Sequence, residues 1–90
     1  MATVHLPRSL VTLFTDPPPR HVEVPSTSLA GLVDDLESRW PGMRDRLIEP
    51  PGPQLREHIN VFIDGERSRD LAAPLSDRSI VHVIPAVAGG

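Results

Sequence analysis

The residues best placed to do chemistry are the last two. Gly89-Gly90 close the chain after a strand-like run, Ser79-Ile80-Val81-His82-Val83-Ile84, and a short Pro85-Ala86-Val87-Ala88 arm. A glycine pair inside a loop marks a turn, but here nothing follows to turn into. Without Cβ atoms the pair can carry a terminal carboxylate down a channel too narrow for any other side chain. That suits a carboxylate which another protein reaches and activates; on position alone, a frayed chain end is the competing reading. Other reactive groups are sparse. There is no cysteine, the four histidines His5, His21, His58 and His82 show no ligand spacing, and no Gly-x-Ser-x-Gly elbow occurs. Neither a metal site nor a catalytic centre within the chain is expected.

All nine basic residues are arginine, a bias that a GC-rich genome would explain. It has a chemical consequence all the same. With neither lysine nor cysteine, an activated carboxylate finds no side-chain amine or thiol on its own chain or on a sister chain, only the α-amino group of Met1. Lysine-linked chains of the protein with itself are excluded.

Ninety residues make one small domain that must fold without a disulfide, and a monomer is expected. The formal net charge of -3 and the absence of a basic cluster argue against nucleic acid or an anionic membrane as partner. No apolar stretch is long enough to span a bilayer and the N-terminus lacks a secretory pattern, so a cytoplasmic location is expected.

The elements that must position the tail read as follows. Residues 2–14 mix β-branched and apolar types and predict a strand that breaks or bulges at Pro7. After Asp16-Pro17-Pro18-Pro19, residues 20–25 alternate polar and apolar, so a first hairpin forms with Val22 and Val24 toward the core. Ser28 then precedes Leu29, Leu32, Val33, Leu36 and Trp40 at the spacing of one helical face. Ser28 suits the N-cap, and Pro41-Gly42 ends the helix. Residues 43–48 suit a short further helical turn, and the prolines at 50, 51 and 53 a loop. Residues 59–63 predict a strand that turns at Asp64-Gly65 and returns over 66–71; the last strand spans 79–84. The order β-β-α-β-β-β predicts an α+β fold, a mixed sheet of about five strands covered on one face by one main helix.

That order, the terminal Gly-Gly and the phrase from Val81 to Gly90 resemble the ubiquitin-like sulfur carriers of the MoaD/ThiS family, and cover essentially the whole chain. Within the family the resemblance is nearest to the CysO type, through Asn60-Val61-Phe62-Ile63, Ile84-Pro85-Ala86-Val87-Ala88-Gly89-Gly90 and the helical Asp34-Asp35-Leu36-Glu37. Asp77-Arg78-Ser79 departs from the Asp-Gly-Asp type of turn common in the family, so this turn is expected to avoid the left-handed conformation. The resemblance implies a β-grasp domain over residues 1–84 and a flexible tail over 85–90. It also implies that the protein is a cosubstrate and not an enzyme. Gly90 would be adenylated by an E1-like enzyme using ATP and magnesium, then converted to a thiocarboxylate, with Gly89, Ala88 and Val87 threading into partner enzymes. The carrier itself would bind no cofactor. The implied acceptors are a PLP-dependent cysteine synthase, with a metallopeptidase releasing the product, or a thiazole-synthase-like enzyme making a thiosugar or similar metabolite. Two other uses of the same fold and tail stand beside these: a modifier conjugated through Gly90, and the small subunit of a molybdopterin synthase.

Strand alternation supplies the body's part. Val61, Ile63, Val81 and Val83 should face the helix, leaving Asn60, Phe62, His82 and Ile84 outward. Aligning the tail and the Asp64-Gly65 turn on ubiquitin places Phe62, His82 and Ile84 at the family's docking patch, with Arg67 and Arg69 as a charged rim.

Overall fold

In a computed structural model, described over residues 1–86, the chain forms β1 (Ala2–His5), α1 (Arg8–Val11), β2 (His21–Val24), α2 (Leu29–Arg39) and α3 (Met43–Leu47). There follow β3 (Ile48–Glu49), β4 (Gln54–Leu55), β5 (Ile59–Ile63), β6 (Glu66–Ser68) and β7 (Ile80–Pro85). Five strands make one sheet in the order β2-β1-β7-β5-β6, and β1 and β7 run parallel while every other neighbouring pair is antiparallel. The sheet is therefore mixed, and β7, the last strand in sequence, occupies its middle.

Alternation along each strand decides what the sheet buries. Val4, Val22, Val24, Val61, Val81 and Val83 are all buried, and they form one core with Leu29, Leu32, Val33 and Leu36 of α2. The expected inward positions Val22 and Val24 hold, and Ile63, partly buried at the end of β5, packs against the core. Ser28 caps α2 by accepting the Gly31 N–H at 3.1 Å. At its other end Trp40 is half-buried against the core. Glu37 then accepts from the N–H groups of Gly42 (3.2 Å) and Arg44 (2.8 Å), satisfying donors at the start of α3. Gly42 makes this corner with φ +103°, a conformation that a Cβ would strain.

The structure corrects three expectations. The first strand ends at His5 instead of reaching residue 14, and α1 follows it. Pro7 lacks an N–H for the ladder, and its carbonyl instead accepts from Leu10 and Val11 at 3.0 and 3.2 Å, a helical turn that sends both side chains into the core. The return strand expected over 66–71 stops at Ser68, because Asp70 Oδ1 takes the N–H of Ala72 at 2.9 Å and turns the backbone away. The proline loop is framed by an unforeseen pair of short strands, β3 and β4, with Ile48 opposite Leu55 and both buried.

The remaining turns follow their sequences. Asp64 (φ 51°) and Gly65 (φ 88°) are both left-handed, as a two-residue hairpin turn requires. Asp64 also exchanges two bonds with Ile80, its Oδ1 accepting the Ile80 N–H and its own N–H donating to the Ile80 carbonyl, each at 2.9 Å. This ties the hairpin tip to the start of β7. Asp77 and Arg78 avoid positive φ; Ser76 and Ser79 close that turn through the Ser79 hydroxyl, which accepts the Ser76 N–H at 2.8 Å. Among the described residues no helix is long and apolar enough to cross a membrane.

Candidate functional site

The strand that leads to the tail is held from both sides. β7 pairs with β1 over Thr3 to His5 and with β5 over its full length, from Ile59 opposite Pro85 to Ile63 opposite Val81. It runs through Pro85, one residue beyond the expected 79–84 span, and the Ala86 N–H donates to the His58 carbonyl at 2.7 Å. The proposed sulfur-bearing residue Gly90 and the threading residues Gly89, Ala88 and Val87 lie outside the described residues.

The outer face of the sheet assembles the expected patch. Phe62 stands opposite His82, and Asn60 opposite Ile84, in one antiparallel register. Ile84 and Ile80 are 44% and 45% exposed, unusual for isoleucine on a central strand, and lie on either side of His82. Phe62, His82 and Ile84 are thus one surface on two adjacent strands. The Oδ1 of Asn60, buried beside it, has no hydrogen-bond partner among the described residues.

Two rim arginines separate. Arg67 faces outward opposite Phe62. Arg69 lies beyond β6, and its guanidinium donates to the carbonyls of Ile59 and Leu55 at 2.8 Å and of Arg56 at 3.0 Å. Three of its five N–H donors thus clamp the segment before β5 and hold the guanidinium there, away from the outward position that Arg67 takes opposite Phe62.

The histidines differ from the sequence reading. His5 pairs with His21 across β1 and β2 and with His82 across β1 and β7, with ring centroids 4.1 and 4.4 Å apart. Three of the four histidines therefore stand side by side, and only His58 is apart. Residues 5, 21 and 82 reveal this only once β1 is known to lie between β2 and a parallel β7, and the common signal is that each is an outward position of its strand. The rings lie against one another at tilts of 36° and 45°. Among the described residues no group of three His, Cys, Asp or Glu side chains is arranged to hold a metal ion. Burial, and then repulsion from His21, His82 and Arg20, hold the His5 imidazole below its ordinary value.

With this geometry in place, comparison with known proteins is informative. The ThiS family pattern matches residues 11–90. Among curated proteins, the Mycobacterium tuberculosis sulfur carrier protein CysO is 32% identical over 75 residues, spanning 79% of this chain and 81% of that protein. Among solved structures, a chain of the Amycolatopsis orientalis BexX/CysO complex superposes with TM-score 0.85 at 32% identity and full coverage of both chains. The M. tuberculosis CysO crystal structure gives TM-score 0.83 at 28% identity, over 97% of this chain and 100% of that one. The architecture is the β-grasp fold of ubiquitin-like sulfur carriers.

Proposed function

The chain belongs to the ThiS family and is a sulfur carrier of the CysO/ThiS type, and from that premise we propose that its working group is the carboxylate of Gly90. A carboxylate is a poor electrophile at neutral pH because oxide would have to leave. An E1-like partner using ATP and magnesium converts it to an acyl-adenylate with release of pyrophosphate. Sulfide then displaces AMP and leaves a thiocarboxylate directly, whereas a persulfide first gives an acyl disulfide whose S–S bond a thiol reductant cleaves to release the thiocarboxylate. Its ionised sulfur then attacks an electrophile held by a second enzyme. The carrier is a cosubstrate in this scheme, and its residues bind and orient.

The observation that supports this reading most is the position of β7. The strand that feeds Val87, Ala88, Gly89 and Gly90 lies in the middle of the sheet, and its outward residues His82 and Ile84 share a surface with Phe62. One partner can grip that surface while the tail enters its active site. The similarity to a chain of the BexX/CysO complex supports an acceptor enzyme that docks on the folded body. Cysteine synthesis or a sulfur-containing metabolite is the destination, through a PLP-dependent synthase or a thiazole-synthase-like enzyme.

Intact mass tests the reading. Incubation with ATP, magnesium, sulfide and a candidate E1-like enzyme should add the sulfur-for-oxygen mass difference, confined to the C-terminal peptide, and deletion of Gly90 should abolish the gain. Higher-mass conjugates through Gly90 without that gain would identify a protein modifier instead.

A further inference from the structure

The outer face carries a feature that chemistry at Gly90 does not use. His21, His5, His82, Phe62 and Arg67 form one register row across all five strands. Four of the five can carry positive charge, on a chain whose formal net charge is -3. Arg20 adds a further cation at the His21 end; its Nε donates to the Leu6 carbonyl at 3.0 Å, and neither Nη atom is engaged among the described residues. Beside this end lies a groove of about 360 Å³, lined by the three histidines, Arg20, Ile84 and Pro85 among others, and among the described residues no carboxylate lines it.

We propose that this row and groove form a recognition site for a carboxylate-bearing segment of a protein partner, and that the site binds more tightly as pH falls. The inference rests on the reading of the outer face as the carrier's docking surface, but not on the sulfur chemistry at Gly90.

Charge complementarity carries it. The groups that face His5 are His21 from β2, with Arg20 before it, and His82 from β7; beyond these lie Phe62 and Asn60 of β5 and Arg67 of β6. The nearest outward carboxylate of the sheet is Glu23, two residues along β2 and opposite Thr3 instead of His5. In the free protein burial, and then His21, His82 and Arg20, oppose a charge on His5. A carboxylate seated in the groove reverses that balance and couples binding to proton uptake. The exposed Ile80 and Ile84 on either side of His82 give apolar seats to residues that alternate with the acids. Because the row is open to water, salt should weaken the attraction. The stacked rings argue for this use over a metal site, since they lie against one another and do not converge on a shared point.

The test uses the full chain with labelled histidines, followed by NMR in the presence of a chelator. Hexaglutamate is the probe and hexalysine its control. Saturable shifts of His5, His21 and His82 are expected with hexaglutamate alone. Its affinity should be ~3–5-fold higher near pH ~6 than near pH ~8, because coupling to one proton by about one pKa unit reaches its ~10-fold limit only well below both pKa values. His5→Gln should remove most of that pH dependence, and Arg20→Gln should weaken binding at both pH values with the fold intact. Absence of saturable binding, an affinity independent of pH, or equal shifts with hexalysine would overturn the proposal. The sulfur-for-oxygen mass gain, measured on the same samples, separates the two readings: a gain without peptide binding defeats this inference only, and peptide binding without a gain defeats only the thiocarboxylate.

Discussion

The two faces of the sheet are written by the same strands and differ in almost everything else. On β7 the inward residues Val81 and Val83 are buried and aliphatic, while Ile80, His82 and Ile84, one position out of phase, are half-buried or exposed. On β1, Val4 is closed off completely while His5 meets two other imidazoles. The inner face tolerates only shape and apolarity, because packing against α2 leaves no water to solvate anything else. The outer face carries two exposed isoleucines and a row that can charge, and beside them Asn60 has a buried amide oxygen without a partner among the described residues. Stability lies with the inner face; on the proposed reading recognition lies with the outer one, and the two should then be separable by mutation.

The largest effect should come from the inner face. Leu36→Ala, at a fully buried position, should cost ~2–5 kcal/mol in chemical denaturation. Thiocarboxylate formation should persist wherever the variant stays folded; a specific loss of sulfur transfer at full folding would break the division. Phe62→Glu is the converse. It should weaken binding to the E1-like or acceptor enzyme by ~2 kcal/mol or more, as a central aromatic contact does, with little change in the denaturation midpoint; unchanged affinity would remove Phe62 from the docking surface. Ser28→Ala, remote from the outer face, should cost ~1 kcal/mol of stability through the lost cap and leave partner affinity alone.

The smallest effect is a pH slope that sharpens the comparison. His5 binds its proton less readily when folded than when unfolded. Above its ordinary value of 6.5 both states are neutral and nothing is lost; as pH falls through that value the unfolded chain takes up the proton first, so stability declines. Denaturation midpoints should fall on acidification, and His5→Gln should flatten the slope. An unchanged slope would show that the outer row has no bearing on stability.

Sequence patterning made much of this legible, and its failures are local. Period-two alternation gave the inward valines and the outward Phe62, His82 and Ile84, and the 3.6 period with Ser28 gave α2. The segment after Pro7 departs from its strand pattern because Leu10 and Val11 are as apolar as strand residues, and only the bonds to the Pro7 carbonyl reveal a helical turn. Arg69 looked like a surface charge because nothing in its neighbours announces three backbone acceptors from residues 55–59. The histidine row was hidden for a different reason. Contact between positions 5, 21 and 82 depends on strand order, which alternation within a strand does not encode.

The placement of β7 has a mechanical side. An edge strand pulled from one end peels away bond by bond, whereas β7 is laced to β1 on one side and β5 on the other, so tension applied beyond Ala86 loads both ladders together. An enzyme that drew the last residues into its active site, as proposed, would pull on a strand paired on both sides, and could tug, twist or release the end without unravelling the body that carries it.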